Sequence, residues 1–569
     1  MICMQKEYKQ LENKIFDLII VGAGIHGAIL ASEASSRGYT VALLDKGDFG
    51  CATSANSLKI IHGGIRYLQH GDFPRMRQSI RSRRAMMAFA PHLVRPLKCM
   101  MPTYGHGIRG KETMRLAFGV YDLIAADRNR GLEKENRLPC SSSISAREVI
   151  NTVPGINTEG LTGGAVWYDA VAGNTERLTL EYVKEAVQYG AVAVNYTRAT
   201  KLETEGGRVT GVVIEDDTAG KTRLVKCRMV VNAAGPWLAE VANGKPDSQL
   251  LASAVNIVIK RSLFQGYAVG LEGYTDYTDR DALIKRGKRL FFFVPWLDRF
   301  TMIGTGYKPF HGDPNHYSIS RVDIEELLAD INKIYPKGDL TMADVGYYHG
   351  GLLPMTEADE SASDSVQLDK SSTIVDHGAT GGVSGLLSIK GVKYTTAPDI
   401  AEKVIKIISR PEFLGRRNGR NSLETGVVQP DFHPVISALG PKYPAIKEHL
   451  ESNYGKGWRE ILGVLASEYQ KDSGPLRDEV LWLVDEPKLL RAELLHFIRN
   501  EMARQLPDVV FRRSGIGSAE CPAQEVLERL AAHMGEELGW NEEERQHQIA
   551  KVRRVFAPLA VPTEQQREV

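Results

Sequence analysis

The stretch Phe16–Asp45, FDLIIVGAGIHGAILASEASSRGYTVALLD, contains the most informative pattern in the chain. It begins with a short apolar run, which is typical of a strand buried on both faces. A segment of helical character follows, and Gly38 is placed to end it. A second apolar run then closes at Asp45. The order strand, helix, strand predicts an α/β unit of the Rossmann-like kind.

Three glycines in this unit stand at the spacing GxGxxG. Gly22 permits a tight turn, Gly24 lets a pyrophosphate approach the backbone, and Gly27 lets helix and strand pack closely. The helix N-terminus offers free N–H groups to phosphates. Asp45 can accept hydrogen bonds from ribose hydroxyls. Together these features predict a dinucleotide site; the alternative is a glycine-rich βα turn without a ligand.

The composition is that of an ordinary globular protein with more than one domain. A chain of 569 residues is longer than a single hydrophobic core usually supports, so roughly two to four domains are expected. The net charge of +1 argues against a nucleic-acid binder. No apolar run reaches the ~18–20 residues that span a bilayer, and the polar N-terminus does not resemble a signal peptide. The six cysteines form no CxxC pair, which predicts no metal site and a cytoplasmic location.

The segments after Asp45 suggest a cofactor loop and a basic helix. Residues 46–57 are small and rich in hydroxyls, which suits wrapping a cofactor, although an ordinary surface loop has the same composition. Residues 74–90 read as a helix that carries five arginines. The helix is interpreted either as a solvated basic face or as a contact with a membrane surface.

The second half of the chain divides into a β-rich lobe and a helical tail. Residues 192–305 alternate apolar runs with turns and predict the β-rich lobe. Residues 410–434 lack periodicity and are interpreted as a linker. From residue 435 onward the spacing i, i+3, i+4 recurs, most clearly in 478–504 and 522–556, which predicts a separate all-α domain.

Several longer motifs resemble the flavin-dependent glycerol-3-phosphate dehydrogenases of the D-amino-acid-oxidase-like flavoprotein superfamily. They include ATSANSLKIIHGGIRYLQH at 52–70, APHLVRP at 90–96 and VNAAGPW at 231–237. The resemblance continues at 393–396 and into the tail around 511–517. It implies a Rossmann-like FAD-binding domain, an interleaved β-rich substrate domain and a C-terminal helical domain. The implied boundaries are 1–430 for the oxidoreductase domain, with FAD-binding parts at 14–75, 150–245 and 375–410 and substrate-binding parts at 76–149 and 246–374, and 431–569 for the helical domain.

The resemblance also implies FAD rather than NAD as the cofactor. The glycine motif would hold the pyrophosphate, Asp45 the adenosine ribose, and Ala199 the adenine through its backbone. The hydroxyl-rich loop would wrap the pyrophosphate and ribityl side, and Gly391 would begin a segment along the flavin's pyrimidine edge. The full set of expected cofactor residues is Gly22, Ala23, Gly24, Gly27, Asp45, Lys46, Thr53, Ser54, Ser57, Lys59, Ile61, His62, Ala199, Ala234, Gly235, Gly391, Lys393, Tyr394 and Thr395.

Four residues are the catalytic candidates. Arg66 matches the family arginine of HGGxRY, which binds the anionic end of the substrate, and Lys393 matches the active-site lysine of GKxTT. For both, a surface ion pair is the alternative. His62 and His349 are candidates for the general base because histidine titrates near working pH. A structural role for His62 and a plain loop position for His349 are the alternatives.

The chain departs from the family pattern in the expected substrate pocket. Leu353 stands where the GxRPL motif has its phosphate-binding arginine, and Leu263 stands where the family has an active-site histidine. Lys370 falls near another family arginine and could partly restore the charge. One lost arginine–phosphate interaction is worth ~1.5–3 kcal/mol, which corresponds to roughly 10–150-fold in affinity. The loss is large enough to change substrate preference without abolishing flavin chemistry.

Three functions therefore remain open at this point. The first is a glycerol-3-phosphate dehydrogenase with a rearranged phosphate pocket. The second is a related flavin enzyme for a bulkier or less charged hydroxy compound, and the third is a flavin-binding protein without catalysis. The resemblance implies a small hydroxylated, anionic substrate and either quinone or oxygen as electron acceptor. It also leaves open peripheral attachment to the cytoplasmic face of the membrane.

Overall fold

The computed structural model describes residues 4, 8–12, 14–107, 110–217, 220–242, 249–278, 286–358, 366–419, 431–472 and 481–560. The middle of the predicted linker and the end of the tail lie outside these residues.

A mostly parallel sheet forms the centre of the first layer. Its order is β17-β18-β10-β1-β2-β7, and β18, β10, β1, β2 and β7 run parallel. β1 is buried from its second residue onward, as its apolar run predicts. β8 and β9 extend the sheet from β10. The strands are β1 Ile15–Val21, β2 Val41–Leu44, β7 Val192–Val194, β8 Thr197–Glu205, β9 Arg208–Asp216, β10 Lys221–Asn232, β17 Thr373–Asp376 and β18 Leu386–Lys390.

Helices from distant parts of the chain cover this sheet. α1 packs against both α5 and α8, and their apolar residues share one core with β1 and β2. Neighbouring parallel strands need a crossover connection, and α1 lies in the connection between β1 and β2. The helices before the tail are α1 Ile25–Ser36, α2 Phe73–Phe89, α3 Lys111–Ile124, α4 Ala146–Thr152, α5 Thr175–Gln188, α6 Leu238–Val241, α7 Arg321–Ile334 and α8 Ala397–Ile408.

A second sheet has the order β16-β15-β11-β14-β13-β12-β4-β6-β3, and β5 pairs with β6. The predicted β-rich lobe was wrong at its start, because β7 to β10 belong to the first sheet. Conversely, β6 lies in a segment expected to bind FAD but pairs with β4 in the second sheet. The strands are β3 Ile60–Ile61, β4 Val94–Tyr104, β5 Ser142–Ser145, β6 Leu161–Ala172, β11 Leu251–Ile259, β12 Ala268–Thr278, β13 Arg286–Trp296, β14 Phe300–Phe310, β15 Val345–Ala358 and β16 Val366–Leu368.

The tail is helical but contains a small hairpin. The predicted helix at 478–504 was wrong in its first part, because β19 and β20 form a hairpin there and turn at Glu486-Pro487. Proline removes a backbone donor and disfavours a helix interior. The elements are α9 His433–Leu439, α10 Tyr443–Tyr454, α11 Trp458–Asp472, β19 Trp482–Asp485, β20 Lys488–Leu490, α12 Arg491–Asn500, a π-helical segment Asp508–Arg513, α13 Gln524–Leu538 and α14 Glu542–Phe556.

The tail shares a hydrophobic core with the second sheet. Tyr347 of β15 stacks on Phe511 with ring centroids 5.8 Å apart, and Phe556 lies 5.5 Å from the same tyrosine ring. Trp167 and Trp296 of the sheet belong to the same buried cluster as the tail helices. The helical tail is therefore packed on the oxidoreductase layers through a continuous apolar contact.

Candidate active site

The glycine motif forms a turn with no room for side chains. Gly22 has φ +100°, and a Cβ at this position would lie 2.6 Å from the carbonyl oxygen of Ala233. A Cβ at Gly27 would lie 1.8 Å from the carbonyl oxygen of Gly22. Gly24 is the N-cap of α1 and has no side chain to occupy the helix N-terminus. The space requirements are those of a phosphate-binding turn.

The predicted acid and the hydroxyl-rich loop meet at this turn. Asp45 directly follows β2, and its carboxylate accepts hydrogen bonds from the N–H groups of Ala23 (2.7 Å) and Gly47 (2.9 Å). Burial raises the pKa of Asp45 to about 6. The loop hydroxyl of Ser54 accepts a hydrogen bond from the N–H of Ile25 at 2.9 Å. The loop therefore folds over the N-terminus of α1.

A cavity of about 430 Å³ lies along the carboxyl ends of β1 and β2. A cleft at the carboxyl ends of parallel strands is the usual ligand site of such a sheet. The glycine turn, the acid and the hydroxyl loop all face it, and these donors and acceptors suit a dinucleotide such as FAD. The predicted residues that line it are Gly22, Gly24, Asp45, Lys46, Thr53, Ser54, Ala199, Ala234, Gly235, Gly391, Lys393 and Tyr394.

The other predicted cofactor residues lie behind or beside the cavity lining. Ala23 is a buried residue of the turn, and Gly27 packs against the carbonyl oxygen of Gly22. Lys59 is buried, and its Nζ donates to Glu176 Oε2 at 2.6 Å and to Thr175 Oγ1 at 2.8 Å. Its ammonium group is therefore engaged in an internal ion pair. The remaining residues outside the lining are Ser57, Ile61, His62 and Thr395.

His62 lies beside the segment that contains Lys393. The N–H of His62 donates to Thr395 Oγ1 at 3.3 Å. Burial, followed by the nearby charge of Lys393, lowers the pKa of His62 to about 4. The imidazole is therefore neutral at neutral pH. The preceding residue, Ile61, lies in β3 and pairs with Ala170 of β6.

Lys393 belongs to a cationic cluster around one aromatic ring. Its Nζ lies 4.5 Å from the ring centroid of Tyr67 and donates a hydrogen bond to the tyrosine hydroxyl. Burial, followed by the nearby guanidinium groups of Arg75 and Arg66, lowers the pKa of Lys393 to about 8. Lys393 lines the cavity, so the cluster adjoins it. Arg66 and Lys393 are thus brought close together.

His349 has a different environment from the one expected of a loop residue. It lies in β15 with 1% of its surface exposed, so the loop alternative was wrong. Its ring makes edge contacts with Trp296 at 6.1 Å and Tyr347 at 4.9 Å between centroids. It is not among the residues that line the cavity.

The two leucines that depart from the family pattern are separated in space. Leu353 lines the cavity, and the neighbouring Leu352 accepts a hydrogen bond from Thr53 Oγ1 at 3.0 Å. Leu263 is half-buried against the apolar cluster of the second sheet, and its N–H donates to Thr301 Oγ1 at 2.9 Å. Only Leu353 therefore bears directly on the contents of the cavity.

Two residues of this region are not among those predicted from the sequence. His26 fills a variable position of GxGxxG and lines the cavity, where its Nε2 is buried without a hydrogen-bond partner. Its ring abuts Gly391, where a Cβ would lie 2.5 Å from His26 Cε1. Its position between Gly24 and Gly27 was the sequence feature that could have identified it as a cavity residue. Arg75 was read only as one of five helix arginines, and no sequence pattern places it beside Lys393.

Residues 17–401 match the protein family described as FAD dependent oxidoreductase. This match spans more than half of the 569 residues, so the chain belongs to that family and the predicted FAD cofactor is confirmed. Residues 436–545 match the family described as the C-terminal domain of alpha-glycerophosphate oxidase. The predicted combination of an FAD-binding α/β part and a helical tail is therefore confirmed.

Individual relatives are similar to the chain over most of its length. A glycerol-3-phosphate dehydrogenase of Synechocystis is 26% identical over 98% of this chain and 99% of its own. An aerobic glycerol-3-phosphate dehydrogenase of Escherichia coli K12 is 29% identical over 88% of this chain and 94% of its own. The crystal structure of a glycerol-3-phosphate dehydrogenase from Bacillus halodurans, complexed with FAD, has a TM-score of 0.68 and 23% identity, covering 97% of this chain and 98% of that one. The last similarity supports the fold.

Two kinds of feature are absent from the described part of the chain. No helix there is long and apolar enough to cross a membrane. No group of three or more His, Cys, Asp or Glu side chains there is arranged to hold a metal ion.

Proposed function

We propose that this FAD-dependent oxidoreductase oxidises the secondary alcohol of glycerol 3-phosphate to dihydroxyacetone phosphate. The observation that carries the proposal is the cationic pair Arg66 and Lys393 beside a cavity suited to FAD. Support also comes from relatives named glycerol-3-phosphate dehydrogenase that match 88–98% of the chain.

The cationic pair would bind the anionic end of the substrate. Lys393 has a pKa of about 8 and is mostly protonated at neutral pH, so it serves as a point charge. Arg66 offers a planar fork that can hold two phosphate oxygens. Tyr67 holds the ammonium of Lys393 in place through its hydroxyl. Holding one end of a small substrate fixes its hydroxyl carbon relative to the cavity.

His62 would accept the proton of the substrate hydroxyl. Its imidazole is neutral, and the positive charge of Lys393 is one cause of its low pKa. A bound phosphate would offset that charge, so the basicity of His62 would rise when substrate is present. FAD, when bound, supplies the acceptor for the hydride. Replacing His62 by Asn and measuring flavin reduction tests this role, since an unchanged rate would exclude it.

A less charged or bulkier hydroxy compound is the second candidate substrate. The specific observation in its favour is Leu353, which places an apolar side chain in the cavity where the family motif has an arginine. A flavin-binding protein without catalysis is the third candidate, and reduction of the flavin by any hydroxy compound would remove it.

Anaerobic reduction of the bound flavin separates these candidates. The holoenzyme is mixed in turn with glycerol 3-phosphate, glycerol and a panel of larger hydroxy compounds, and bleaching of the flavin absorbance is followed. Rapid bleaching by glycerol 3-phosphate, with a much weaker effect of glycerol, is the expected result. No bleaching by glycerol 3-phosphate, together with bleaching by another hydroxy compound, would refute the proposal. The Lys393→Met variant serves as the internal control, and it should bind glycerol 3-phosphate more weakly.

The electron acceptor is proposed to be quinone or oxygen. Oxygen uptake and reduction of a soluble quinone during turnover distinguish the two. A peripheral membrane contact through the Arg-rich α2 would act through a reduced positive charge, because the five arginines of this helix lie beside four carboxylates. The pairs are Arg75–Asp72, Arg77–Asp127, Arg84–Asp127, Arg83–Asp169 and Arg81–Asp399.

A further inference from the structure

Asn315 joins two residues of the cavity wall. It lies in a short 3-10 turn, Pro314–His316, in the connection from β14 to α7. Its side-chain oxygen accepts one hydrogen bond from Lys46 Nζ and another from Trp237 Nε1, each at 2.8 Å. Both donors line the cavity, and they follow β2 and β10 of the first sheet. One amide therefore links a connection of the second sheet to two strand ends of the first.

The amide of Asn315 is held in the orientation that these bonds need. Its Nδ2 donates to Asp313 Oδ1 at 2.9 Å, and its backbone N–H donates to the same oxygen at 2.8 Å. An amide oxygen has two acceptor sites, and the two donors of the wall use both of them. A flipped amide would set its N–H groups against Lys46 and Trp237, which are donors only. The arrangement therefore has one satisfied orientation.

Lys46 and Trp237 also contact each other. The Lys46 Nζ lies 4.0 Å from the centroid of the Trp237 ring, whose face attracts a cation. The carboxylate of Glu240 lies 3.5 Å from Lys46 and 3.5 Å from Arg198, and these residues line the cavity as well. Lys46, Trp237 and Asn315 thus form a closed triangle of contacts, which we call the clasp.

The clasp stands at the end of the cavity that Asp45 marks. Asp45 directly precedes Lys46, and an acid after the second strand is the usual acceptor for the ribose hydroxyls of a dinucleotide. The phosphates belong at the N-terminus of α1, where Gly24 is the N-cap. The adenosine of FAD would therefore lie on the Asp45 side of the cavity, next to the clasp.

We propose that Asn315 is a positioning residue that retains FAD: it fixes Lys46 and Trp237 against each other and so closes the adenosine end of the cavity from the second sheet. The inference goes beyond the proposed reaction, since it concerns how firmly the cofactor is kept and not which substrate is oxidised. Both hydrogen bonds of the clasp are exposed, so they can break by local opening without unfolding of either sheet. Opening of the clasp then limits the release of FAD.

The rate of FAD release from full-length holoproteins tests the proposal. Each holoprotein is diluted strongly, and the flavin that remains bound is measured at intervals after spin filtration. Asn315→Ala removes the shared acceptor, whereas Trp237→Phe removes one donor and keeps a ring beside Lys46. We expect release to be roughly 5–20-fold faster in Asn315→Ala and roughly 2–5-fold faster in Trp237→Phe, since two and one exposed hydrogen bonds are lost. The control is His316→Ala, which changes the neighbouring side chain, 86% exposed, and should match the unmodified protein.

Two further readouts separate this role from a general loosening of the protein. The visible spectrum of the bound flavin should be unchanged in Asn315→Ala, because the change lies at the adenosine end. Adding Trp237→Phe to Asn315→Ala should not speed release further, since the bond between the two residues is already lost.

Equal release rates in Asn315→Ala and the unmodified protein would overturn the proposal. So would fully additive effects in the double variant, or faster release that His316→Ala reproduces. If Asn315→Ala yields no holoprotein, Trp237→Phe decides the matter, and an unchanged release rate in that variant counts against the clasp.

Discussion

Replacing Arg513 by Met should destabilise the protein strongly and loosen its cofactor site. Arg513 donates to both carboxylate oxygens of Asp48, at 2.7 and 2.9 Å, and both side chains are buried. Asp48 lies between Gly47 and Gly50, which line the cavity. The substitution leaves a buried carboxylate with Arg512 as its remaining guanidinium partner, at 2.5 Å.

The expected loss is about 3 kcal/mol. Breaking one half of a buried pair costs ~3–5 kcal/mol, and the retained contact with Arg512 places this case at the lower end. Burial alone would raise the pKa of Asp48, but the guanidinium groups of Arg513 and Arg512 hold it below its ordinary value. The stabilisation by this carboxylate is therefore present above the unfolded pKa of about 4 and is lost as the pH falls through the folded pKa.

Urea unfolding and FAD dissociation provide the assay. Arg499→Met is the matched control in the same tail, because its ion pairs with Glu537 and Glu468 are partly exposed and are worth ~0.2–1 kcal/mol each. Adding Asp48→Asn to Arg513→Met should recover part of the loss, since the buried charge is then removed. A loss below ~0.5 kcal/mol for Arg513→Met, with unchanged FAD affinity, would refute the reasoning.

Three further predictions concern the cofactor and substrate sites. Gly27→Ala should abolish FAD binding, measured as flavin content, because the added Cβ would overlap the carbonyl oxygen of Gly22. The control is Gly119→Ala on α3, where an added Cβ has no neighbour within 4 Å and FAD binding should be retained. KM for glycerol 3-phosphate should rise as the pH passes about 8, since Lys393 is cationic only below its pKa; a KM that is flat to pH 10 would contradict this. His26→Leu should weaken FAD binding roughly 2–10-fold in equilibrium dialysis, because the buried Nε2 of His26 then offers no hydrogen bond to the cofactor. Equal affinity would show that this nitrogen does not meet FAD.

The local pattern at the start of the chain was sufficient to predict a dinucleotide site. Gly22 and Gly27 act through the backbone turn at which they lie, so their spacing in sequence is also their geometry. Asp45 follows the next strand and accepts a hydrogen bond from the N–H of Ala23 in that turn. For the same reason the strand–helix–strand order indicated the parallel sheet correctly. The FAD family followed from several such local motifs in order.

The placement of two expected site residues depended on contacts between distant segments. Lys59 matched the cofactor loop in sequence, but its ammonium is taken by Glu176, 117 positions later in the chain. His349 had the pattern of a loop residue but lies within β15 because β11 pairs with it. Neither placement can be predicted from neighbouring residues in the sequence, because the position of a buried charge or ring depends on its tertiary partners.

The amino-acid sequence by itself determined the dinucleotide-binding turn, because Gly22, Gly24 and Gly27 lie close together in the chain and their small size is part of the motif. FAD as the cofactor followed from the longer motifs that resemble the family. Only the tertiary structure decided which charges lie beside Lys393, which lines the cavity. Arg75 and Lys393 are 318 positions apart and meet across the ring of Tyr67. The long-range electrostatic field of such a cluster depends on how helices and sheets pack, and no local pattern carries that information.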